Sequence, residues 1–204
     1  MQYKFTVEFS YTSGGAKANL EYIMKNYGVP ERYLEVGVYE GNTFFWMNEF
    51  CNAHGFELTA TAVDPHAESH DLTDVKLSDA HELFVHNMSV CSNKNNIEYI
   101  REYSGKALVD LVYEQKKFDL VYIDGDHRAS GVLSDLVLAW NLIDVGGIIL
   151  CDDATTWKHI DKNGIAAVQY SPRLAVETFV ACNWDKLTPI YVPDGNQTAF
   201  RKIA

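Results

Sequence analysis

Two kinds of apolar pattern alternate along the chain, and this alternation predicts a parallel β-sheet flanked by α-helices. Short runs rich in β-branched and aromatic residues predict strands at 32–38, 57–64, 97–103, 118–124 and 147–153. Apolar residues at helical spacing predict helices at 16–28, 42–55, 77–90, 106–117, 127–143 and 172–184. We expect Gly146 and Gly147 to end the fifth of these helices. Two later strands, 186–193 and 197–203, are joined by Asp-Gly-Asn and predict a hairpin.

The two central strands, 118–124 and 147–153, are hydrophobic on both faces, as expected in the middle of a parallel sheet. The sequence contains no repeat, no low-complexity tract and no linker. Its 204 residues therefore predict a single α/β domain with a Rossmann-like, doubly wound sheet. Within this domain, 1–30 would form an N-terminal cap and helix, and the irregular segment 154–170 would form a substrate loop.

Composition and charge narrow the function classes. The chain carries 17 Lys and Arg against 28 Asp and Glu, a formal net charge of −11. Such an acidic chain is repelled by phosphate backbones, so we expect neither nucleic acid nor an anionic membrane as a partner. Hydrophobic residues make up 47% of the sequence, which excludes intrinsic disorder.

Further features of the sequence bear on where the protein is located and on the state of its cysteines. No apolar run approaches the roughly 20 residues that span a bilayer, and the first fifteen residues lack the apolar core of a signal peptide. We therefore expect a cytoplasmic protein. The cysteines are far apart, which predicts reduced and mostly buried thiols rather than disulfides or a zinc site: Cys51, Cys91, Cys151 and Cys182.

Polar residues collect at the predicted carboxyl ends of the strands, where open α/β sheets bind their ligands. Gly37 and Gly41 flank a tight strand-to-helix turn after Glu35, where the polar end of a ligand could approach the backbone. Asp64 follows the next strand and could accept both hydroxyls of a ribose, with His66 flat against a purine. The alternatives are a structural turn, an ordinary N-cap or turn acid at Asp64, and an exposed loop residue at His66.

Four further carboxylates cluster after the two central strands. Asp124 and Asp152 end these strands, and Asp126 and Asp153 lie beside them. Carboxylates this close raise one another's pKa unless a cation compensates their charge. Hard oxygen donors suit Mg²⁺, which keeps some waters for exchange with substrate oxygens. The alternatives are that Asp126 caps the following helix and that Asp153 makes a turn.

Several stretches carry a recognisable set of motifs, in a fixed order from about residue 33 onwards. They are YLEVGVYEGNTFFWM, TAVDPH, SGKALVDL, FDLVYIDGDHRASGVLSDLVLAWNLIDVGGIILCDDATTW and a tail with PRLAVETFV and RKI. Together they resemble the class I S-adenosylmethionine-dependent methyltransferases, in particular the methyltransferase 24 branch with the macrocin-type sugar O-methyltransferases. The resemblance implies a seven-stranded sheet, mostly parallel, with the last strand inserted antiparallel, in agreement with the predicted hairpin.

The resemblance also implies roles for the residues at the sheet edge. Around the methionine half of S-adenosylmethionine it places Glu35, Gly37, Gly41 and Thr43. Asp64 would bind the ribose, His66 would lie beside the adenine, and Gly105–Lys106 would line its other side. Asp126 would act as the general base. The divalent-metal ligands would be Asp124, Asp152 and Asp153. Asp124 would also belong to the cofactor-binding residues.

The implied reaction is O-methylation of a small hydroxylated acceptor, either a sugar or another natural product. A sugar hydroxyl is too weak an acid to ionise unaided, so Mg²⁺ would act as a Lewis acid on its oxygen. Asp126 would accept the proton, with His127 as the alternative base. We expect the loop that carries Trp157 and His159 to become ordered on substrate binding. A homodimer is the default assembly.

Four other functions are alternatives. An NAD-linked oxidoreductase would explain Gly37 and Asp64 but would give the strand-end acids no role, and titration with S-adenosylhomocysteine against NAD distinguishes the two. A catalytically silent S-adenosylmethionine-binding protein predicts no metal uptake. A nucleic-acid methyltransferase conflicts with the net charge of −11 and lacks an Asn/Asp-Pro-Pro-Tyr/Phe motif. A hydroxylase would need a two-histidine, one-carboxylate iron pattern, which is not visible.

Overall fold

A seven-stranded sheet forms the centre of the fold, and its strands coincide with the apolar runs of the sequence. They are β1 (Arg32–Val36), β2 (Thr59–Val63), β3 (Ile97–Ile100), β4 (Phe118–Ile123), β5 (Ile143–Cys151), β6 (Leu187–Ile190) and β7 (Thr198–Lys202). Their order across the sheet is β3-β2-β1-β4-β5-β7-β6, and β1 to β5 pair in parallel. β7 lies antiparallel between β5 and β6. The predicted fold class is therefore confirmed.

The structure is a computed structural model that describes residues 2–6, 15–67, 79–154, 170–193 and 195–204. The predicted substrate loop 154–170, with Trp157 and His159, lies almost entirely outside the described residues. Its ordering on substrate binding stays a prediction. Within the described ranges, no helix is both long and apolar enough to cross a membrane.

Helices cover both faces of the sheet. They are α1 (Ala16–Tyr27), α2 (Asn42–Ala53), α3 (Ala80–Val90), α4 (Ser104–Tyr113), α5 (Ala129–Leu142) and α6 (Pro172–Cys182). Alternate strand residues face opposite sides, so Tyr33 packs with α1, α2 and α3 whereas Leu34 packs with α4, α5 and α6. Trp46 and Trp140 pack against these two cores, as their helical spacing predicts. All four cysteines are free thiols, and only Cys182 is exposed.

The passage from α5 to β5 differs from the prediction. α5 ends directly before Ile143, the first residue of β5, so Gly146 and Gly147 lie inside the strand. The prediction that these glycines end the helix is wrong because they lie within β5, at an irregularity in its pairing with β4. The pairing register of β5 with β4 shifts between Phe118 and Leu120. Gly146 has φ 100°, a backbone conformation that glycine adopts without strain.

Residues 2–6 lie across α3 and the turn that follows β1. The fully buried Asn87 accepts the Lys4 N–H at its Oδ1 and donates from its Nδ2 to the Lys4 carbonyl, both at 2.8 Å. The Thr6 N–H donates to Oε2 of the buried Glu40 at 2.7 Å. These contacts attach the start of the described chain to the turn between β1 and α2.

A buried carboxylate lies between α4 and α5. Asp135 on α5 is 1% exposed, and its Oδ2 has no hydrogen-bond partner among the described residues. The pKa of Asp135 is raised to about 6, chiefly by burial; a hydrogen bond with Ser104 opposes the shift and the charge of Asp126 adds to it. The folded protein therefore retains this proton at pH values at which the unfolded chain has already released it.

We expect Asp135→Asn to change how stability depends on pH. Because the folded state holds the proton up to about pH 6 and the unfolded state only to about pH 4, the wild-type free energy of unfolding should fall across that interval. The variant has no proton to release at this position. The fall in its free energy of unfolding should therefore be smaller than that of the wild type by on the order of 2–3 kcal/mol.

Urea unfolding between about pH 4 and pH 7 measures this difference. Asp185→Asn makes the same chemical change at an exposed position and serves as the control. Wild type and Asp135→Asn with parallel pH profiles would show that burial does not perturb this carboxyl group.

Candidate active site

The turn after β1 packs its backbone directly against the end of β4. Gly37 has φ 85°, and a Cβ atom there would lie 2.2 Å from the carbonyl oxygen of Asp124. The Gly37 N–H donates to the Val63 carbonyl, and the Asp124 N–H donates to the Val36 carbonyl, both at 2.8 Å. Gly41 has φ 84°, and a Cβ atom there would overlap an aromatic ring of α2. Glycine is required at position 37 because the ends of β1, β2 and β4 meet there in backbone contact.

Asp64, at the end of β2, holds this turn. Its Oδ2 accepts the N–H groups of Val38 and Tyr39 at 2.9 and 2.8 Å, and its Oδ1 accepts the N–H of His66 at 2.7 Å. The side chain is 15% exposed. The carboxylate therefore acts as a turn acid, and one of its roughly four acceptor positions is still available to a ligand.

His66 is not on an open surface. Its side chain is 1% exposed, with Nε2 at 2.6 Å from the Tyr39 carbonyl and Nδ1 at 2.7 Å from the Tyr99 hydroxyl. The ring also packs against Phe84 and His81. The alternative of an exposed loop residue is therefore wrong, because both ring nitrogens are hydrogen-bonded inside the protein. His66 therefore supports the turn from inside the protein, through its contact with the Tyr39 carbonyl.

Two neighbouring strands carry a tyrosine followed two residues later by an acid. On β1 the Tyr33 hydroxyl donates to Glu35 Oε2 at 2.6 Å, and on β4 the Tyr122 hydroxyl lies 3.4 Å from Asp124 Oδ2. Glu35 and Tyr122 pair in the sheet register, so the four side chains form one polar row. Burial raises the pKa of Glu35 well above its ordinary value. Thr43 lies nearby in the first turn of α2.

Two of the acids that follow β4 and β5 lie beside the imidazole of His127. Its Nε2 lies 3.3 Å from Asp153 Oδ2 and 3.9 Å from Asp124 Oδ1. Burial, together with the charge of Asp152, raises the pKa of Asp124 to about 7, while His127 opposes the shift. Asp152 Oδ1 accepts the N–H of Asp153 at 2.9 Å, and Asp153 has φ 52°. The structure thus brings these four predicted residues to one edge of the sheet.

Two amide side chains at this edge were not predicted from the sequence. Asn196 and Gln197 lie in the turn between β6 and β7. Asn196 Nδ2 donates to Asp153 Oδ1 at 3.1 Å, and Gln197 Nε2 donates to Asp152 Oδ1 at 3.0 Å. Only the antiparallel pairing of β7 with β5 places this turn beside the acids, and no local pattern indicates that pairing.

The remaining predicted residues lie farther from this group of acids. Asp126 Oδ1 accepts the N–H of Arg128 at 2.9 Å, and a Cβ atom at Gly131 would lie 2.0 Å from its Oδ2, so the carboxylate faces the start of α5. Gly105 and Lys106 lie in the exposed first turn of α4. The Lys106 ammonium is 2.8 Å from the Asp110 carboxylate on the same helix.

The acids do not form a ready-made metal cage. No three His, Cys, Asp or Glu side chains of the described residues are arranged to hold a metal ion as they stand. Hydrogen bonds from Gln197 and Asn196 engage Asp152 and Asp153 instead. A cavity of about 600 Å³ opens at the opposite edge of the sheet, beside Arg32 and Thr59, and none of the predicted site residues lines it.

Comparison with known families identifies the chain. Residues 34–154 of the 204 match the sequence profile of a family described as a methyltransferase domain. The chain belongs to this methyltransferase family. The resemblance to class I S-adenosylmethionine-dependent methyltransferases is thereby confirmed, and so is the enzyme class. A search of curated proteins gives no match.

Solved structures with the same fold are distant in sequence. A Klebsiella pneumoniae protein classed as an O-methyltransferase shares 17% identity over 96% of this chain and 83% of its own, with a TM-score of 0.65. The Bacillus cereus O-methyltransferase shares 16% identity over 90% and 79%, with a TM-score of 0.61. CalS11, a TDP-rhamnose 3′-O-methyltransferase, shares 12% identity over 89% and 76%, with a TM-score of 0.60. At these identities the likeness shows the fold alone.

Substitution in the turn after β1 tests the backbone contact at Gly37 directly. Gly37→Ala should lower the free energy of unfolding by more than about 3 kcal/mol, because it adds a clash with β4 to the strain of a positive φ. Gly55→Ala is the matched control, since Gly55 has φ 74° but nothing within 4 Å of its Cβ position. It should lose only about 1–2 kcal/mol.

Urea or thermal unfolding of the two variants beside wild type measures both losses. Equal losses at the two positions would mean that β1 and β4 separate freely and that the close contact is unimportant.

Proposed function

We propose that the protein transfers the methyl group of S-adenosylmethionine to a hydroxyl group of a small acceptor, a sugar or another natural product. The observation that carries this proposal is the sheet edge at which a glycine turn adjoins a histidine and three carboxylates: His127, Asp124, Asp152 and Asp153. Two relatives support it, since the Bacillus cereus protein was solved in complex with S-adenosylhomocysteine and CalS11 methylates a sugar nucleotide.

The methionine end of the donor would bind at the turn after β1. Positive φ at Gly37 and Gly41 lets the backbone turn tightly after β1, and the turn leads into the N-terminus of α2, where the N–H groups favour an anionic ligand group. Glu35 and Thr43 flank this turn, and Glu35 is buried beneath it. This arrangement supports the assignment of these four residues to the methionine half of the donor.

The nucleoside end of the donor would bind along the edge of β2 and β3. Asp64 is tied to the turn by three N–H groups and would offer its remaining acceptor position to the ribose. The assignment of His66 and of Gly105–Lys106 to the adenine rests on the family resemblance. His66 would then act from within, by fixing the turn through the Tyr39 carbonyl.

We further propose that Asp124, Asp152 and Asp153 hold Mg²⁺. Their oxygens are hard donors, and burial together with the charge of Asp152 raises the pKa of Asp124, an unfavourable environment for a carboxylate that a cation would relieve. Mg²⁺ keeps several waters and is commonly held by only one or two protein carboxylates, so a preformed cage of three is unnecessary. When bound, the ion would supply Lewis-acid stabilisation of negative charge on the acceptor oxygen.

The transfer breaks the bond between sulfur and the methyl carbon, and the sulfur keeps the electron pair. A new bond joins that carbon to the acceptor oxygen, whose proton must leave. His127 is the better placed base, because its Nε2 lies at the edge that carries the proposed cation ligands, 3.3 Å from Asp153 Oδ2 and 3.9 Å from Asp124 Oδ1. Asp126 is the second candidate, although its carboxylate faces the start of α5.

Titration calorimetry tests the ligands of this proposal without an acceptor. Wild type should bind S-adenosylhomocysteine but not NAD, and the loaded protein should then bind Mg²⁺. Asp152→Asn should weaken Mg²⁺ binding by at least about tenfold and keep the affinity for S-adenosylhomocysteine, because it removes charge from the acids and not from the glycine turn. Asp185→Asn, at an exposed position, should change neither affinity.

Each possible outcome of this titration separates the proposal from an alternative. Binding of NAD would replace the methyltransferase by an oxidoreductase. Binding of S-adenosylhomocysteine without any Mg²⁺ uptake would discard the metal and leave a metal-independent or silent protein.

Two variants distinguish the bases. His127→Gln should lower kcat by about 10²–10⁴-fold with an unchanged KM for S-adenosylmethionine, because only the proton acceptor is lost. Asp126→Asn should lower kcat less than His127→Gln does. Transfer of a labelled methyl group to a panel of sugar nucleotides and phenols measures both. The reverse order of losses would assign the proton to Asp126.

A cytoplasmic location and a homodimer stay predictions. In the assay with the labelled methyl group, the amounts of label found in sugar nucleotides and in phenols would identify the class of acceptor.

A further inference from the structure

Gln197 occupies a buried position between the acids and α1. Its residue is 5% exposed, and both ends of its side-chain amide are hydrogen-bonded. Nε2 donates to Asp152 Oδ1 at 3.0 Å and to the Tyr122 hydroxyl at 3.1 Å. Oε1 accepts from Nδ2 of Asn19, a fully buried residue of α1, at 2.7 Å. One amide thus connects α1, β4 and the end of β5.

The orientation of this amide follows from its partners. An ionised carboxylate only accepts hydrogen bonds, so the end of Gln197 that faces Asp152 has to be the NH₂ group. The Tyr122 hydroxyl accepts from the same NH₂ group, which leaves its own proton directed towards Asp124 Oδ2, 3.4 Å away. Gln197 therefore acts on Asp152 directly and on Asp124 through one hydroxyl.

The chemistry of an amide suits this place better than that of other side chains. A lysine or arginine would neutralise Asp152 and take the place of a cation, whereas a glutamate would repel it. An amide N–H fixes one carboxylate oxygen and favours the ionised form while it leaves the negative charge in place. Groups that hydrogen-bond to metal-binding carboxylates in this way orient them for the ion.

We propose that Gln197 is a positioning residue that orients Asp152 and, through Tyr122, Asp124 for a divalent cation, with Asn19 holding its carbonyl end. This inference rests on the proposed function, because it takes the acids to be the cation ligands. A purely structural Gln197 would affect the stability of the hairpin. It would not affect the cation affinity of protein that is fully folded.

The test compares cation affinity with donor affinity in the folded full-length chain. Gln197→Met keeps the length of the side chain and removes both N–H donors. Free Mn²⁺, followed by electron paramagnetic resonance in protein saturated with S-adenosylhomocysteine, should show a Kd raised about 10- to 100-fold, with an unchanged Kd for S-adenosylhomocysteine. Gln115→Met, at an exposed position before the amino end of β4, is the matched control and should bind Mn²⁺ as wild type does.

Asn19→Leu provides a second variant in which Gln197 itself is intact. Loss of the group that holds its carbonyl end should raise the Mn²⁺ Kd in the same direction and by less, and this variant decides the question if Gln197→Met does not fold. Wild-type Mn²⁺ affinity in whichever of these variants folds would overturn the positioning role alone. A wild-type protein that binds S-adenosylhomocysteine and takes up no Mn²⁺ would overturn the proposed metal and this role together.

Discussion

The crowding of negative charge at one edge of the sheet is the constraint on which the site depends. Asp124 cannot retreat from Asp152, because its backbone is hydrogen-bonded to Val36 and packed on Gly37. Within the described residues, the fold places hydrogen-bond donors against these carboxylates, as the Gln197 amide shows for Asp152. Such donors stabilise ionised oxygens and preserve the net charge, which keeps the edge attractive to a positively charged ligand.

Most of the fold follows from periodicity. A parallel sheet buried on both faces requires continuous apolar strands separated by amphipathic helices, and the sequence shows both patterns clearly. The boundary at Ile143 could not be predicted, because two adjacent glycines have the same local signature whether they end a helix or lie at an irregularity inside a strand. The distinction depends on how β5 pairs with β4, which is a tertiary property.

The residues of the candidate site likewise divide into those that local sequence patterns predict and those that depend on tertiary contacts. The acids were predictable because each directly follows a strand, and parallel strands deliver their carboxyl ends to one edge. The role of His66 was not, because it depends on a Tyr39 carbonyl and a Tyr99 hydroxyl that only the folded turn brings within reach. Gln197 and Asn196 were missed because forty-odd residues and the reversed direction of β7 separate them from their partners.

The pairing of Asp152 with Gln197 limits how this sequence can diverge. The two residues lie on separate segments, yet a hydrogen bond joins the partly exposed Asp152 to the buried amide of Gln197. A relative with an apolar residue in place of Asp152 would leave one N–H of the buried Gln197 amide without this acceptor, at a cost of about 1–3 kcal/mol. Substitutions at these two positions should therefore be inherited as a pair, so that the site and the hairpin evolve as one unit.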